Sequence, residues 1–253
     1  MGIRLLATVP IERLSRYKEL ADLHSVDVYK FYRWNQLICL SLFDDISVVE
    51  VAMRSAMSRE LVATFGINWF ENETILDSQA LKSIEAILER AKKTITDPQV
   101  LHGKLVVSLT LGFWVKLLGR GDRLVVYSKI TKKQISSTKR VYDDLLWKPA
   151  LRNAFPHAKS LGRATVESLA RDMQFARNRV AHHEHVIWGI PAVGQKDPKT
   201  NFDRRIPLLA FQSELFELAR LIDNQLEQWL IDNSSLQNVI NVCPLPVMTD
   251  LLI

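Results

Sequence analysis

Apolar residues along the chain recur mostly three and four positions apart, the spacing that lays one stripe along an α-helix. Residues 11–23 make a short amphipathic segment just after Pro10, a favourable position at a helix start. Residues 26–65 then carry Phe31, Ile38, Leu42, Val49, Met53, Met57 and Leu61 with no proline between them. They predict one very long helix, or two in sequence with Asp44 or Asp45 capping a break. Gly66 and Asn68 stop it, and Asp77-Ser78 caps the next helix, which runs to about residue 94. Asp97-Pro98 marks a turn before residues 104–118, apolar nearly all round and expected as one buried helix.

Gly119, Gly121 and Asp122 interrupt the pattern, and an irregular basic stretch is expected after them. A helix over residues 138–154 ends at Phe155-Pro156. Another over 163–186 puts Val166, Leu169, Met173, Ala176 and Val180 on one face, with His183 continuing it. Gly189, Pro191 and Gly194 open a polar loop, and a last helix runs from about residue 206 or 208 to 230. The pattern predicts an all-α chain without strands: one helical domain over residues 1–232 and a C-terminal tail over 233–253.

Composition narrows the function classes. Hydrophobic residues make up 47% of the 253 positions and charged residues 24%, enough apolar surface to offset chain entropy. Cys39 and Cys243 cannot build a disulfide framework and lie in no metal-ligand spacing. The first residues lack a signal-peptide plan, and the longest uncharged run near the middle, 105–115, is far short of the roughly 20 residues a membrane helix needs. A soluble protein of a reducing compartment, most simply the cytoplasm, with no membrane partner, is the expectation. The net charge is +5. Residues 116–140 carry eight Lys or Arg against Asp122 alone, a net +7 that leaves −2 for the rest. Lys129, Lys132 and Lys133 in this stretch are candidates for RNA-backbone contacts, with a merely solvated loop as the alternative.

No phosphate loop, GxGxxG turn or GxSxG elbow is present. An HExxH motif starting at His183-Glu184 fails because position 187 is Ile187. What stands out is Arg177-Asn178-Arg179-Val180-Ala181-His182-His183-Glu184-His185, late in a predicted helix and holding three of the six histidines. Arginine offers a planar fork for phosphate oxygens, and histidine a proton acceptor or donor near neutral pH. Asn178 and His182 are four apart, so on a helix Asn178 could orient the imidazole. These parts suit phosphodiester cleavage. The same residues would also serve as the dipole-complemented end of a helix. A metal site is disfavoured because adjacent helical residues diverge by about 100°, and only His182 and His185 pair naturally.

The octapeptide Arg177 to Glu184 resembles the signature of Abi-like proteins, the AbiD/AbiF type of bacterial abortive-infection proteins, in the HEPN superfamily. The hallmark of that superfamily is Arg, a polar residue, a short spacer and His. It maps onto Arg177, Asn178 and His182, with His183 as an alternative. Further elements follow in family order over most of the chain. Tyr32-Arg33-Trp34-Asn35 resembles the aromatic-x-Trp-Asn element and Glu50-Val51-Ala52-Met53-Arg54 the Glu-Val-x-Leu-Arg helix. Leu111-Gly112-Phe113-Trp114 resembles Phe-Gly-x-Trp, and Phe155-Pro156 precedes the signature helix. Ser55 departs from the Asn that relatives often carry.

The resemblance implies a HEPN-like bundle of long antiparallel helices that commonly dimerises and brings two motifs into one cleft. It implies a toxin-like, metal-independent endoribonuclease of phage defence, without a cofactor, leaving 2′,3′-cyclic phosphate and 5′-hydroxyl ends. His182 would move the proton, Arg177 would hold the scissile phosphate, and an antitoxin or regulatory partner would restrain the protein. Arg179 and the pair Glu50/Arg54 rank as supporting residues. Trp34 and Trp114 are expected in the core. The alternative is a non-catalytic HEPN module that binds RNA or a protein.

Overall fold

The computed structural model describes residues 9–128, 130–158, 160–196, 198 and 203–244. It is mainly helical, in the order α1 (Ile11–Leu23), α2 (Val28–Phe65), α3 (Ser78–Ala91), α4 (Pro98–Ser108), α5 (Leu111–Leu117), β1 (Arg123–Tyr127), β2 (Gln134–Lys139), α6 (Gly162–Ala181), β3 (Ile190–Lys196), β4 (Asp203–Ile206), α7 (Leu208–Ile222), α8 (Asn224–Asn233) and α9 (Leu236–Asn241). Among the described residues no single helix is long and apolar enough to cross a membrane. Internal contacts divide the chain into two units. The first holds residues 1–47, 175–216 and 229–253; the second holds 48–174 and 217–228.

In the first unit, α1 and the start of α2 bury Leu14, Tyr17, Phe31, Trp34, Ile38 and Leu42. Tyr17 meets Phe31 edge-on, with ring centroids 5.5 Å apart, and Phe31 stacks on Trp34 at 5.9 Å. Trp34 donates its indole N–H to the Val239 carbonyl at 2.7 Å, tying α9 to α2. Leu236 and Ile240 of α9 are buried, so the start of the expected tail belongs to this unit's core. Residues 245–253 lie outside the described residues.

Asp45 is buried, and it does not break α2. Its carboxylate accepts from the Ser234 hydroxyl at 2.6 Å, and burial pushes its pKa up. Of the two readings of residues 26–65, the single long helix is the one found, with the Asp45 charge held inside it.

The second unit gathers Met53, Leu61, Trp69, Phe70, Leu105, Trp114, Leu146 and Phe155 in its core. Asp77 caps α3 by accepting from the Ala80 N–H at 2.8 Å. Asp97 caps α4 through Gln99 N–H at 2.8 Å, with Pro98 in the first helical position. The single helix expected over 104–118 is two helices bent by 97°, because the Thr110 hydroxyl accepts from Phe113 N–H and starts α5. The helix expected over 208–230 likewise breaks at Asp223, whose carboxylate accepts from Gln225 N–H at 2.7 Å and caps α8.

The expectation of no strands is corrected twice. β1 and β2 pair antiparallel from Arg123↔Lys139 to Tyr127↔Gln134, with a bulge after Val126. The run Leu124-Val125-Val126-Tyr127 is β-branched and aromatic, a strand composition masked by the surrounding charges. The helix expected over 138–154 therefore begins later, after β2, as short turns over residues 142–154. The polar loop after Gly189 is also a hairpin, with Ile190 opposite Ile206 and Pro191 opposite Arg205. Gly189 adopts φ +86°, and a Cβ there would sit 2.4 Å from the Ile206 carbonyl oxygen. No other residue fits that crossing.

His102 carries a pH signature in this unit. Trp69 donates its indole N–H to His102 Nε2 at 3.3 Å, so that nitrogen bears the lone pair and Nδ1 the proton. Burial lowers the imidazole pKa from its ordinary 6.5. A lowered folded value means the unfolded chain takes up the proton first. The stabilisation is complete above 6.5 and is lost as the pH falls below it. Melting temperature is expected to drop between pH 7 and pH 5, and His102→Gln should remove part of that drop. An unchanged pH profile in the variant would discount this residue.

Candidate active site

The signature segment closes α6 in a defined way. Glu184 N–H donates to the Arg179 carbonyl at 3.0 Å and His183 N–H to the Val180 carbonyl at 3.0 Å. This crossed pair is a Schellman ending, which requires a left-handed residue between helix and exit. His183 fills that position with φ 53°, where glycine is usual. The helix expected to reach residue 186 thus stops at Ala181, and His183 leaves the apolar face and is exposed. His183→Gly should therefore stabilise the protein by about 1 kcal/mol, read from urea unfolding. A loss of stability would mean the histidine side chain makes up for the strain.

The helix end sorts the candidate residues by exposure. Asn178 and His182 are exposed, and Arg177 and Arg179 are half-buried. Arg179 grips the Glu184 carboxylate through Nη1 at 2.6 and 2.9 Å, so its first task is to hold the segment that leaves the helix. Asn178 meets His182 through the backbone, its carbonyl accepting from His182 N–H at 3.1 Å. Among the described residues their side chains share no hydrogen bond. Arg177 and His182 are five apart, about 140° around a helix and ~7.5 Å along it. One copy of α6 therefore presents the cation and the imidazole at separate angles.

What fixes the segment after the motif is Asn35, fully buried on α2. Its Nδ2 donates to the Glu184 carbonyl at 3.1 Å, and its Oδ1 accepts from Val186 N–H at 3.0 Å and Ile187 N–H at 3.3 Å. One side-chain amide satisfies three backbone groups in the turn that follows His182. Cys39, one turn further along α2, points its thiol at the same Glu184 carbonyl, 3.7 Å away. Burial pushes that thiol up to about 12, so it is protonated.

α1 closes the other side. Arg13 Nη2 donates to the His182 carbonyl at 3.3 Å, and the Arg13 carbonyl accepts from His185 Nε2–H at 3.3 Å. Tyr17 packs on the His185 ring at 4.9 Å. Burial lowers the His185 pKa, the hydrogen bond to Arg13 opposes this, and the charges of Arg16, Arg13 and Arg205 lower it further. Arg205 also donates to the Gly189 carbonyl at 2.9 Å, fixing the turn into β3.

The match to a family model then decides the kinship. The model described as Abi-like protein covers residues 8–188, well over half of the chain. The chain belongs to the Abi-like protein family. Membership points to abortive infection, a bacterial defence against phage. No curated protein and no solved structure matches. Asn35, Glu50, Arg54 and the whole Arg177–His185 segment lie within the Abi-like region, whereas Arg205 lies beyond it.

Not all candidates share a unit with the motif. Arg177, Asn178, Arg179, His182 and His183 lie in the first unit, with Arg13, Asn35 and His185. Glu50 and Arg54 belong to the second, where they form an ion pair at 3.2 Å and Arg54 also donates to the Val107 carbonyl at 3.4 Å. Trp34 and Trp114 are buried, as expected of core residues. Lys132 and Lys133 are exposed at the tip of the β1–β2 hairpin, with Lys132 at φ 58°. Both lie in the second unit, where Lys132 N–H donates to the Ser128 carbonyl at 3.0 Å, and Lys129 lies outside the described residues. Among the described residues no group of three or more His, Cys, Asp or Glu side chains could hold a metal ion.

Nothing in the local sequence marks Arg13, Arg16 and Arg205 as neighbours of the motif, whereas His185 belongs to the segment itself. Asn35 was visible only as one letter of the family's Trp-Asn element. Its isolation as an amide in an apolar stretch was the available signal.

Proposed function

We propose that this Abi-like protein is a metal-independent endoribonuclease of the HEPN type, acting as a toxin-like effector in phage defence. The observation that carries the reading is the Arg177-Asn178-x3-His182 element at the end of α6, with an exposed imidazole on a firmly anchored turn. An exposed imidazole can take the proton of a ribose 2′-hydroxyl or give one to the leaving 5′-oxygen. The 2′-oxygen bonds to phosphorus as the bond to the 5′-oxygen breaks, leaving a 2′,3′-cyclic phosphate and a 5′-hydroxyl. The Arg177 guanidinium holds the scissile phosphate and meets the charge that develops on it.

The 140° divergence of the two residues on one helix favours a homodimer with two motifs facing one cleft. In that arrangement the arginine of one copy and the histidine of the other approach a single phosphate. The HEPN-like helical bundle, a cytoplasmic setting and an antitoxin or regulatory partner belong to the same reading. The exposed Lys132 and Lys133 are offered as RNA-backbone contacts.

The reading is tested by the products. RNA incubated with purified protein should yield 2′,3′-cyclic phosphate and 5′-hydroxyl ends, and DNA of the same sequence should stay intact. Salt-sensitive RNA binding without turnover would make the protein the non-catalytic module instead.

A further inference from the structure

The face of α1 that carries Arg13 and Tyr17 lies against the segment just beyond the signature. Arg13 reaches the His182 carbonyl, and Tyr17, one turn on, packs on His185. Arg16 is three residues from Arg13, about 60° away on the same side of the helix. Both arginines are exposed. Among the described residues neither forms an ion pair: Glu12 and Glu19 of α1 pair with neither, and Asp22 pairs with Lys18. Glu184, the acid beside His182, is already gripped by Arg179. The charges of both arginines reach the His185 ring and help to lower its pKa.

Two exposed guanidinium groups without counter-ions among the described residues, one bonded to the backbone of His182, present donor forks that match phosphodiester oxygens. We propose that Arg13 and Arg16 form a second phosphate subsite, which holds the RNA backbone phosphate next to the one cleaved at His182. This inference rests on the ribonuclease reading above and adds to it a positioning surface outside the signature. Binding a non-reacting phosphate would align the strand at His182, so the subsite acts on substrate affinity and orientation.

Arg16 is the cleaner probe, because Arg13 also braces the His182 carbonyl. The full chain and its Arg16→Ala, Arg16→Glu and Arg16→Lys variants are compared on two substrates. One is a fully 2′-O-methylated single-stranded RNA, which cannot be cleaved; the other is the same RNA unmodified. Arg16→Ala should weaken binding of the uncleavable strand about 3–10-fold and flatten the log–log salt slope by about 0.7, as for one lost phosphate contact. Arg16→Glu should weaken it further, and Arg16→Lys should restore most of the affinity. On cleavable RNA, Arg16→Ala should raise KM more than it lowers kcat.

Unchanged affinity and salt slope in Arg16→Ala, with cleavage that still depends on His182, would overturn the subsite and leave the nuclease reading standing. A wild-type protein that never cleaves RNA, but loses affinity and salt slope on Arg16→Ala, would keep the phosphate contact and refute the catalysis. A wild-type protein that binds no RNA would overturn both.

Discussion

Asn35→Ala is expected to cost about 3 kcal/mol or more of stability, the largest loss for a residue that could touch no substrate. The side chain is fully buried and serves three backbone groups of residues 184–187. Removing it leaves a carbonyl and two N–H groups without their partner, each costing about 1–3 kcal/mol where water cannot replace it. For a chain of this size the melting temperature should fall by about 6–12 °C. The turn after His182 should loosen as well, so amide exchange at Val186 and Ile187 should speed up more than exchange in α3. A melting shift below about 2 °C would show that the clasp carries little of the fold.

His182→Ala is expected to abolish RNA cleavage without comparable damage to the fold. The imidazole is exposed, and among the described residues the hydrogen bonds of His182 run through its backbone N–H and carbonyl, which alanine keeps. Loss of a general acid or base costs about 10²–10⁴ in rate. Arg177→Ala should cost about 10²–10³ through the lost phosphate contact. Arg177→Lys should recover only part of this, because a point charge cannot replace a planar fork. Melting curves close to wild type beside a collapsed rate would separate chemistry from folding.

The sequence carried the helices best where apolar spacing and capping residues agreed. The span of α1 and the Asp77 cap follow from local chemistry that needs no partner, whereas Asp97-Pro98, which reads as a turn, caps a helix that starts at once. It failed where a distant contact outweighs a local signal. Over residues 26–65 local spacing leaves one long helix and a break at Asp44 or Asp45 both open, and the single helix holds, with Asp45 inside it bonded to Ser234. Thr110 and Asp223 cut two apolar runs that read as continuous, since a cap inside a hydrophobic stretch is masked by its neighbours. The two hairpins were hidden by charge and by Gly-Pro punctuation, and each depends on pairing across a turn.

The candidate site divides the same way. Arg177, Asn178 and His182 are visible as a local motif, but the left-handed His183 that ends the helix is not. The residues that anchor the motif come from positions about 150 and 170 residues earlier, and only the fold brings Asn35 and Arg13 to it.

The central claim is that His182 performs metal-independent RNA cleavage at the end of α6. It is tested most directly by incubating one RNA, in excess EDTA, with wild-type protein and with a folded His182→Ala variant. The account predicts cleavage by the wild type, ending in 2′,3′-cyclic phosphate, and none by the variant. Cleavage that vanishes when EDTA is added to the wild type, or that persists in the variant, would contradict it.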